Sequence, residues 1–115
     1  MGYELYITRA DSWLETENSP ILADEWNYVV AADKELELSS EDYYDRRVEG
    51  KVERLHPVLW MAHADRVPFW FVDGAIHTKN PDKETIKKMV ALARKLNAKV
   101  LGEEGEEYDT NGEPM

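Results

Sequence analysis

Three histidines are the side chains of this chain best placed to bind a metal ion. His56, His63 and His77 fall in or near successive predicted strands, so their imidazoles could converge in space. None of their spacings matches a helical pair of ligands or a compact metal-binding loop. We therefore predict no metal site, and expect the three to be surface or hydrogen-bonded histidines.

Catalytic constellations are missing from the sequence. The chain has no cysteine, and no serine lies in the strained strand-to-helix turn of a hydrolase nucleophile. His63 and Asp65 could pair as a base with an orienting carboxylate, but no nucleophile accompanies them. None of the six glycines forms a dinucleotide-binding or phosphate-binding loop. The sequence therefore predicts a protein that is not an enzyme and carries no cofactor.

Two apolar runs offer the best candidate for a ligand pocket. Residues 58–62 and 69–72 are apolar on both faces of their predicted strands, and each run carries a tryptophan. Central strands of a sheet would explain them, because most aromatic runs belong to a core. An open sheet face would instead make them part of a homodimer interface or a ligand groove. That alternative predicts a small-molecule-binding or minor catalytic domain with a pocket near Trp60, His63 and Trp70.

Acidity is the strongest compositional signal. The 115 residues include 24 Asp and Glu against 14 Lys and Arg, for a net charge of -10. Such a charge disfavours nucleic acid as a direct partner and favours a basic protein, because the summed field governs encounter. Carboxylates concentrate near the C-terminus, and we predict that they steer such a partner. The predicted partner-binding residues are Glu103, Glu104, Glu106, Glu107 and Asp109.

The acidic residues near the C-terminus divide the chain into two parts. We predict a single domain over residues 1–101 and an acidic C-terminal tail over residues 102–115, which contains no basic residue. Acidic ends are commonly disordered and solubilising. Tyr108 could instead fasten the tail to the domain, so both interpretations stay open.

Hydropathy and length point to one globular domain. Hydrophobic residues make up 43% of the chain, enough for a core despite the charge. The longest apolar stretch, residues 67–72, is interrupted by Pro68 and is far too short to span a membrane. The first residues lack the basic and apolar regions of a signal peptide. We therefore expect a cytoplasmic protein with no membrane contact.

Periodicity predicts the elements that would position these side chains. Residues 3–7 alternate as a half-buried strand, and Asp73-Gly74 predicts a tight hairpin turn. Ser19-Pro20 and Asn80-Pro81 each resemble a helix cap followed by proline, and a short helix or loop follows Ser39. The fold class is therefore α+β: a single domain in the order β-α-β-β-β-α-β, with an antiparallel or mixed sheet and two helices packed on it.

Three segments carry a resemblance to known sequences. They are GYELYITRADSW at residues 2–13, NPDKETIKKM at residues 80–89 and AKVLGEEGEEY at residues 98–108. Together they resemble a family of small acidic bacterial proteins, over most of the chain. The resemblance transfers no activity and no catalytic residues. In general character that family is similar to the immunity proteins of bacterial toxin systems, which are small, acidic and without catalytic signatures.

The leading hypothesis from these observations is a protein-interaction module. The resemblance implies an immunity protein that neutralises a basic toxin such as a nuclease. In this hypothesis the carboxylates would cover the cleft with which the toxin binds phosphates. One or two buried aromatic side chains would supply most of the binding energy.

Overall fold

A computed structural model of the chain describes residues 3–11 and 19–115. Within those residues all strand pairs are antiparallel, and they form a six-stranded sheet and a separate two-stranded hairpin. The predicted α+β class, with two helices on a sheet, is confirmed. The elements are β1 (Glu4–Thr8), α1 (Ala23–Ala32), β2 (Leu36–Leu38), β3 (Tyr44–Val48), β4 (Lys51–Leu55), β5 (Val58–Trp60), β6 (Val67–Val72), β7 (Ala75–Lys79), α2 (Lys83–Lys95) and β8 (Lys99–Gly102).

The large sheet has the order β2-β5-β6-β7-β1-β8. Over the described residues the structure has eight strands where the predicted order has five, and the additional strands are β2, β3 and β4. A loop follows Ser39, so the alternative of a short helix there is wrong. In β3 and β4 ion pairs across the hairpin replace an apolar face: Arg54 Nε lies 2.9 Å from Asp45 Oδ1. Strands that bury little carry no hydrophobic alternation, so the sequence offers residues 51–55 as a candidate strand but leaves β3 unpredicted.

One face of the six-stranded sheet, here called the helix face, holds the main core. Leu5 and Ile7 of β1 are almost fully buried there, together with side chains of both helices. Burial of each such side chain contributes about 1.5–3 kcal/mol. The buried core residues are Leu5, Ile7, Ile21, Trp26, Val29, Leu36, Val58, Phe69, Ile76, Met89, Val90, Leu92, Ala93, Leu96 and Val100.

The opposite face, here called the outer face, carries polar and aromatic side chains. Tyr6 pairs with His77, and His77 pairs with Trp70, so these three side chains project to the same side. Trp60 pairs with Val67, which alternation places on the side of Phe69. Trp60 therefore lies on the helix face and Trp70 on the outer face.

Helix α1 begins later than predicted. Its N-cap is Leu22, and the Glu25 carboxylate accepts a hydrogen bond from the Leu22 N–H at 3.0 Å. The predicted start at Ser19-Pro20 is wrong. That segment is tied instead to the turn between β6 and β7, because the Ile21 N–H donates to the Gly74 carbonyl at 2.9 Å.

Helix α2 is capped by Asp82, so the predicted cap at Asn80 is wrong. Asp82 Oδ1 accepts the Thr85 N–H at 2.8 Å, which satisfies a free amide of the first turn. Asn80 has a positive φ of 46° and uses its own Oδ1 to accept the Tyr3 N–H at 2.9 Å. The predicted apolar face of α2 is confirmed: Met89, Val90, Ala93 and Leu96 are buried, and Ile86 packs against them. No helix of the described residues is long and apolar enough to cross a membrane.

The predicted hairpin turn joins β6 to β7. Asp73 and Gly74 have φ values of 51° and 88°, the left-handed conformations that a two-residue turn of this kind requires. This turn sets the register that places Trp70 opposite His77.

Candidate ligand groove and acidic tail

A concave cavity of about 650 Å³, here called the groove, opens where β6 begins and β7 ends. It is bounded by the start of β1, the loop between β5 and β6, the start of α2 and the first residue of β3. The amino end of one strand and the carboxyl end of its antiparallel neighbour meet at this edge, so side chains distant in sequence converge. The charged and imidazole groups that line it are Glu4, His63, Asp65, His77, Lys79 and Asp82.

Two aromatic side chains form an apolar corner of the groove. Tyr44 comes from β3 and Trp70 from β6, with ring centroids 4.8 Å apart and planes tilted by 56°. Their contact joins the hairpin to the outer face, and Arg46 strengthens the junction because its Nη1 lies 3.0 Å from Asp73 Oδ2. Burial raises the pKa of the Tyr44 hydroxyl, although 37% of the residue stays exposed. The Tyr44 hydroxyl therefore stays protonated at neutral pH, and both rings keep accessible surface.

A carboxylate and an imidazole lie beside this corner on the outer face. Glu4 Oε2 is 2.6 Å from the buried Nδ1 of His77, but the contact does not have the geometry of a hydrogen bond. The Tyr6 ring stacks on His77, with centroids 5.7 Å apart. Burial, together with the negative charges of Glu4 and Glu103, raises the pKa of Tyr6 to about 12. Glu4 is thus a partly buried carboxyl group beside two aromatic rings.

A second imidazole connects the loop after β5 to the start of α2. His63 Nε2 lies 2.7 Å from Asp82 Oδ2, and its Nδ1 accepts the Asp65 N–H at 3.0 Å. Hydrogen bonds from Thr85, and then from His63, lower the pKa of Asp82 to about 2. The bond to Asp82 raises the pKa of His63. Because both ring nitrogens are engaged, a ligand must displace one partner before this imidazole can exchange a proton with it.

The structure separates the three side chains predicted to line a pocket. His63 and Trp70 both line the groove. Trp60 does not, because its place is the helix face, where its indole N–H donates to Glu35 Oε1 at 2.9 Å. Its ring also packs against His63, with centroids 5.2 Å apart. Trp60 therefore supports the groove from behind without lining it.

Sequence reasoning missed most residues of the groove, among them Glu4, Tyr44 and His77. A signal for His77 was present, since a two-residue turn at residues 73–74 pairs residue 70 with residue 77. The alternation of β1 likewise places Glu4 on the face opposite Leu5. No local pattern indicated Tyr44, because its strand was not predicted.

The three histidines do not come together. His56 is exposed beside β4, and its Nδ1 lies 3.0 Å from the Asp42 carbonyl. His63 and His77 both line the groove, but each is next to a different carboxylate. Among residues 3–11 and 19–115, no three His, Cys, Asp or Glu side chains are grouped to hold a metal ion.

The acidic tail folds back along the edge strand β8. The Gly102 N–H donates to the Glu106 carbonyl at 2.9 Å, and the Tyr108 N–H donates to the Val100 carbonyl at 3.0 Å. The Tyr108 ring packs against the core. Further along, the Lys83 ammonium forms an ion pair with Glu113. The tail therefore covers the otherwise open edge of β8 and contacts α2.

The five carboxylates predicted to meet a partner have different environments. Glu106 points inward and accepts hydrogen bonds from the Tyr3 and Tyr108 hydroxyls. Burial opposes its ionisation, but these bonds hold the pKa of Glu106 below its usual value. Asp109 closes a turn by accepting the Glu113 N–H at 3.0 Å. The remaining three are exposed or partly exposed: Glu103, Glu104 and Glu107.

Comparison of the chain with models of protein families, with curated proteins and with solved structures finds no match. The resemblance of its three segments to a family of small acidic bacterial proteins therefore stays a prediction. A function for the chain has to be argued from the geometry of its own side chains.

Proposed function

We propose that this protein is a binding domain for a small organic ligand, which occupies the groove beside Trp70. The observation that carries the proposal is the groove itself, with a volume of about 650 Å³. Ligand sites in proteins are typically concave, measure roughly 300–1,000 Å³ and combine apolar walls with a few polar groups. The groove has both features, since the Tyr44 and Trp70 corner adjoins Glu4 and His63.

The construction of the groove supports binding of a flat ligand. Trp70 belongs to the six-stranded sheet and Tyr44 to the hairpin, so the corner forms where two rigid elements meet. A planar group stacked on either ring would bury apolar area with little loss of side-chain entropy, because aromatic side chains have few rotatable bonds. We propose binding without a chemical step, because among the described residues no serine or cysteine nucleophile lines the groove beside its imidazoles.

Titration of the isotope-labelled full chain with small aromatic compounds tests this proposal by NMR. Benzamidine, benzamide and benzoate present one ring with a positive, neutral or negative substituent. We expect at least one of them to shift the Trp70 indole signal together with backbone signals of Tyr44 and Lys79. If none of the three shifts these signals at millimolar concentration, the proposal is wrong.

A matched pair of variants locates the binding. Tyr44→Ala removes one wall of the groove, whereas Tyr28→Ala removes a ring that is 77% exposed on α1 and lies outside it. We expect the first variant to lose binding and the second to retain it. Equal loss in both would show that the observed binding is not in the groove.

A second function, neutralisation of a basic protein such as a toxin nuclease, is favoured by the tail. Glu103 and Glu104 are exposed at the turn after β8, on a segment held by backbone hydrogen bonds. Fixed carboxylates on a chain of net charge -10 would steer a basic partner and speed its association. In this proposal they would lie over the cleft with which the partner holds phosphates.

The salt dependence of association tests this second proposal. A basic protein recovered with the chain at low salt should associate more slowly as salt is added, because screening shortens the range of the attraction. The double variant Glu103→Gln, Glu104→Gln should lower that rate, and Glu41→Gln, Glu49→Gln serves as a control at exposed positions of the chain far from the tail in sequence. A rate that stays constant across salt would rule out steering.

A further inference from the structure

We infer that the groove selects a ligand with a positive charge on a flat apolar group, such as an amidinium, a guanidinium or an aryl ammonium. The inference rests on the proposed function, because it names the class of ligand for the same groove. It draws on the charges of the lining, on the position of the aromatic corner and on one lysine that opposes binding.

The lining of the groove is negatively charged. Within the described residues it includes the carboxylates of Glu4, Asp65 and Asp82 and the ammonium of Lys79. Three negative groups against one positive group leave an excess of negative charge, and an excess remains when one of the two groove imidazoles is protonated. A concave site concentrates the field of its charged groups, and the chain as a whole carries a net charge of -10. Cations are therefore attracted to the groove and anions repelled.

Two of these carboxylates are available to a ligand. Asp82 is engaged by Thr85 and His63. Asp65 is exposed, and its carboxylate has no hydrogen bond or ion pair within the described residues. Glu4 is hydrogen-bonded to the Tyr6 hydroxyl, but its 2.6 Å contact with His77 Nδ1 has poor hydrogen-bond geometry, so its carboxylate keeps acceptor capacity for a ligand that donates well-directed N–H groups. Amidinium and guanidinium groups present two parallel N–H donors of this kind.

The aromatic corner lies close to the same charge. The negative charge of Glu4 contributes to the raised pKa of Tyr44, as it does for Tyr6. A cation stacked on the corner would gain from the negative faces of Trp70 and Tyr44 and from the carboxylate together. A neutral ring would gain only the stacking, and an anion would meet repulsion from both.

Lys79 allows an additional test, because its removal should change the affinity for a cation in the direction opposite to the removal of a carboxylate. Lys79 pairs with Glu4 across β7 and β1, so both side chains project to the outer face. Its ammonium forms no ion pair within the described residues. It must therefore repel a bound cation, and its removal should strengthen binding of cations. A groove built for anions would show the reverse.

The experiment compares benzamidine, benzamide and benzoate by calorimetry on the full chain and on four variants. For the wild-type chain we expect benzamidine to bind about tenfold more tightly than benzamide, the scale of one charge-assisted contact, and benzoate to bind most weakly. Glu4→Gln and Asp65→Asn should each weaken benzamidine binding about threefold to tenfold, and Lys79→Gln should strengthen it. Glu41→Gln removes an exposed carboxylate outside the groove and should change nothing.

The outcomes separate this inference from the proposed function. Benzamide or benzoate binding in the groove as tightly as benzamidine would overturn the cation preference while the groove stays a ligand site. Absence of binding by all three would remove both proposals. Circular dichroism of each variant shows whether it is folded. Asp65→Asn changes an exposed side chain in a loop, so it keeps the test valid if Glu4→Gln does not fold.

Discussion

The two faces of the six-stranded sheet are built from the same strands but differ in chemistry. On the helix face, Phe69 and Ile76 are fully buried among aliphatic side chains of both helices. On the outer face, their chain neighbours Trp70 and His77 lie beside Glu4 at the edge of a groove. A shift of one position along a strand thus separates a residue of the core from a residue of the candidate site.

This difference separates a packed core on one face of the sheet from a candidate binding surface on the other. The helix face excludes water and holds no ionised side chain among its buried core residues. The outer face is covered in part by the β3–β4 hairpin, through a ring contact and the ion pairs of Arg46. Contacts of this kind stabilise a fold weakly. Substitutions on the outer face should therefore cost less stability than substitutions in the core.

The largest expected effect comes from replacing neighbouring aromatic residues on the two faces. Phe69→Ala should lower the free energy of unfolding by about 3–5 kcal/mol, because it leaves a cavity in a site with no exposed surface. Trp70→Ala should cost clearly less, although it removes the larger side chain, because Trp70 is partly exposed. Urea denaturation of both variants measures the difference. Equal losses would contradict the division of the sheet into a packed core face and a less tightly packed outer face.

The turn at Gly74 tests how the segment before α1 is held against the sheet. A Cβ at Gly74 would lie 2.6 Å from the Cβ of Pro20, and φ is +88°. Gly50 in the other hairpin has a similar φ of +80° but open space around it. Gly50→Ala should cost about 1 kcal/mol from backbone strain, and Gly74→Ala should cost more because the clash is added. Thermal or urea unfolding checks the order, and a smaller loss for Gly74→Ala would contradict the packing of Pro20.

Asp82 stands where the groove meets the first turn of α2. Asp82→Ala should lower the free energy of unfolding by about 1 kcal/mol, because the cap to the Thr85 N–H is lost. Asp82→Asn keeps an oxygen acceptor and should cost less. Urea denaturation at neutral pH compares the two. An asparagine variant as unstable as the alanine variant would show that the charge of Asp82, rather than its capping bond, matters more.

The pH dependence of stability isolates the charge of Asp82. Its pKa in the folded chain is about 2, below that of an ordinary aspartate, so the ionised form stabilises the fold. This contribution is present above the unfolded pKa of about 4 and is lost as pH falls through about 2. The stability difference between wild type and Asp82→Asn should therefore shrink over that interval. A difference that stays constant would show that ionisation of Asp82 contributes nothing.

The smallest expected effect concerns the attachment of the hairpin to the outer face. Asp73→Asn removes the ion pair with Arg46, and asparagine still favours the positive φ of 51°. Global stability should change by less than about 1 kcal/mol. Hydrogen exchange should become faster for amides of β3 and β4 but stay unchanged in β7. Unchanged exchange in the hairpin would show that Tyr44 and Trp70 hold it without the ion pair.

Much of the fold was accessible from local patterns. The alternation of β1, the apolar face of α2 and the Asp73-Gly74 turn each follow from spacing within a few residues, and the structure confirms them. The helix caps were misplaced because proline after a polar residue also occurs in turns. The strand β3 was missed because ion pairs, such as that of Arg46 with the distant Asp73, take the place of an apolar face.

The candidate site was only half accessible from the sequence. His63 and Trp70 were singled out as residue types suited to a pocket, and both line the groove. Trp60 was predicted to lie with them because residues 58–62 are all apolar. An apolar run gives no indication of which side of the strand faces the helices. Pairing β5 with β6 resolves that ambiguity, since Trp60 shares its face with Val67.

By itself the sequence determined the α+β class, the buried face of each amphipathic element and the strongly acidic character of the chain. These properties depend on composition and on periodicity over a few residues. The tertiary structure alone decided which tryptophan borders the groove, that Tyr44 completes its wall, and that the tail lies along β8. The groove contacts join residues far apart in the chain, and the tail is held by packing of Tyr108 against the core; both depend on strand order and packing that no local pattern encodes.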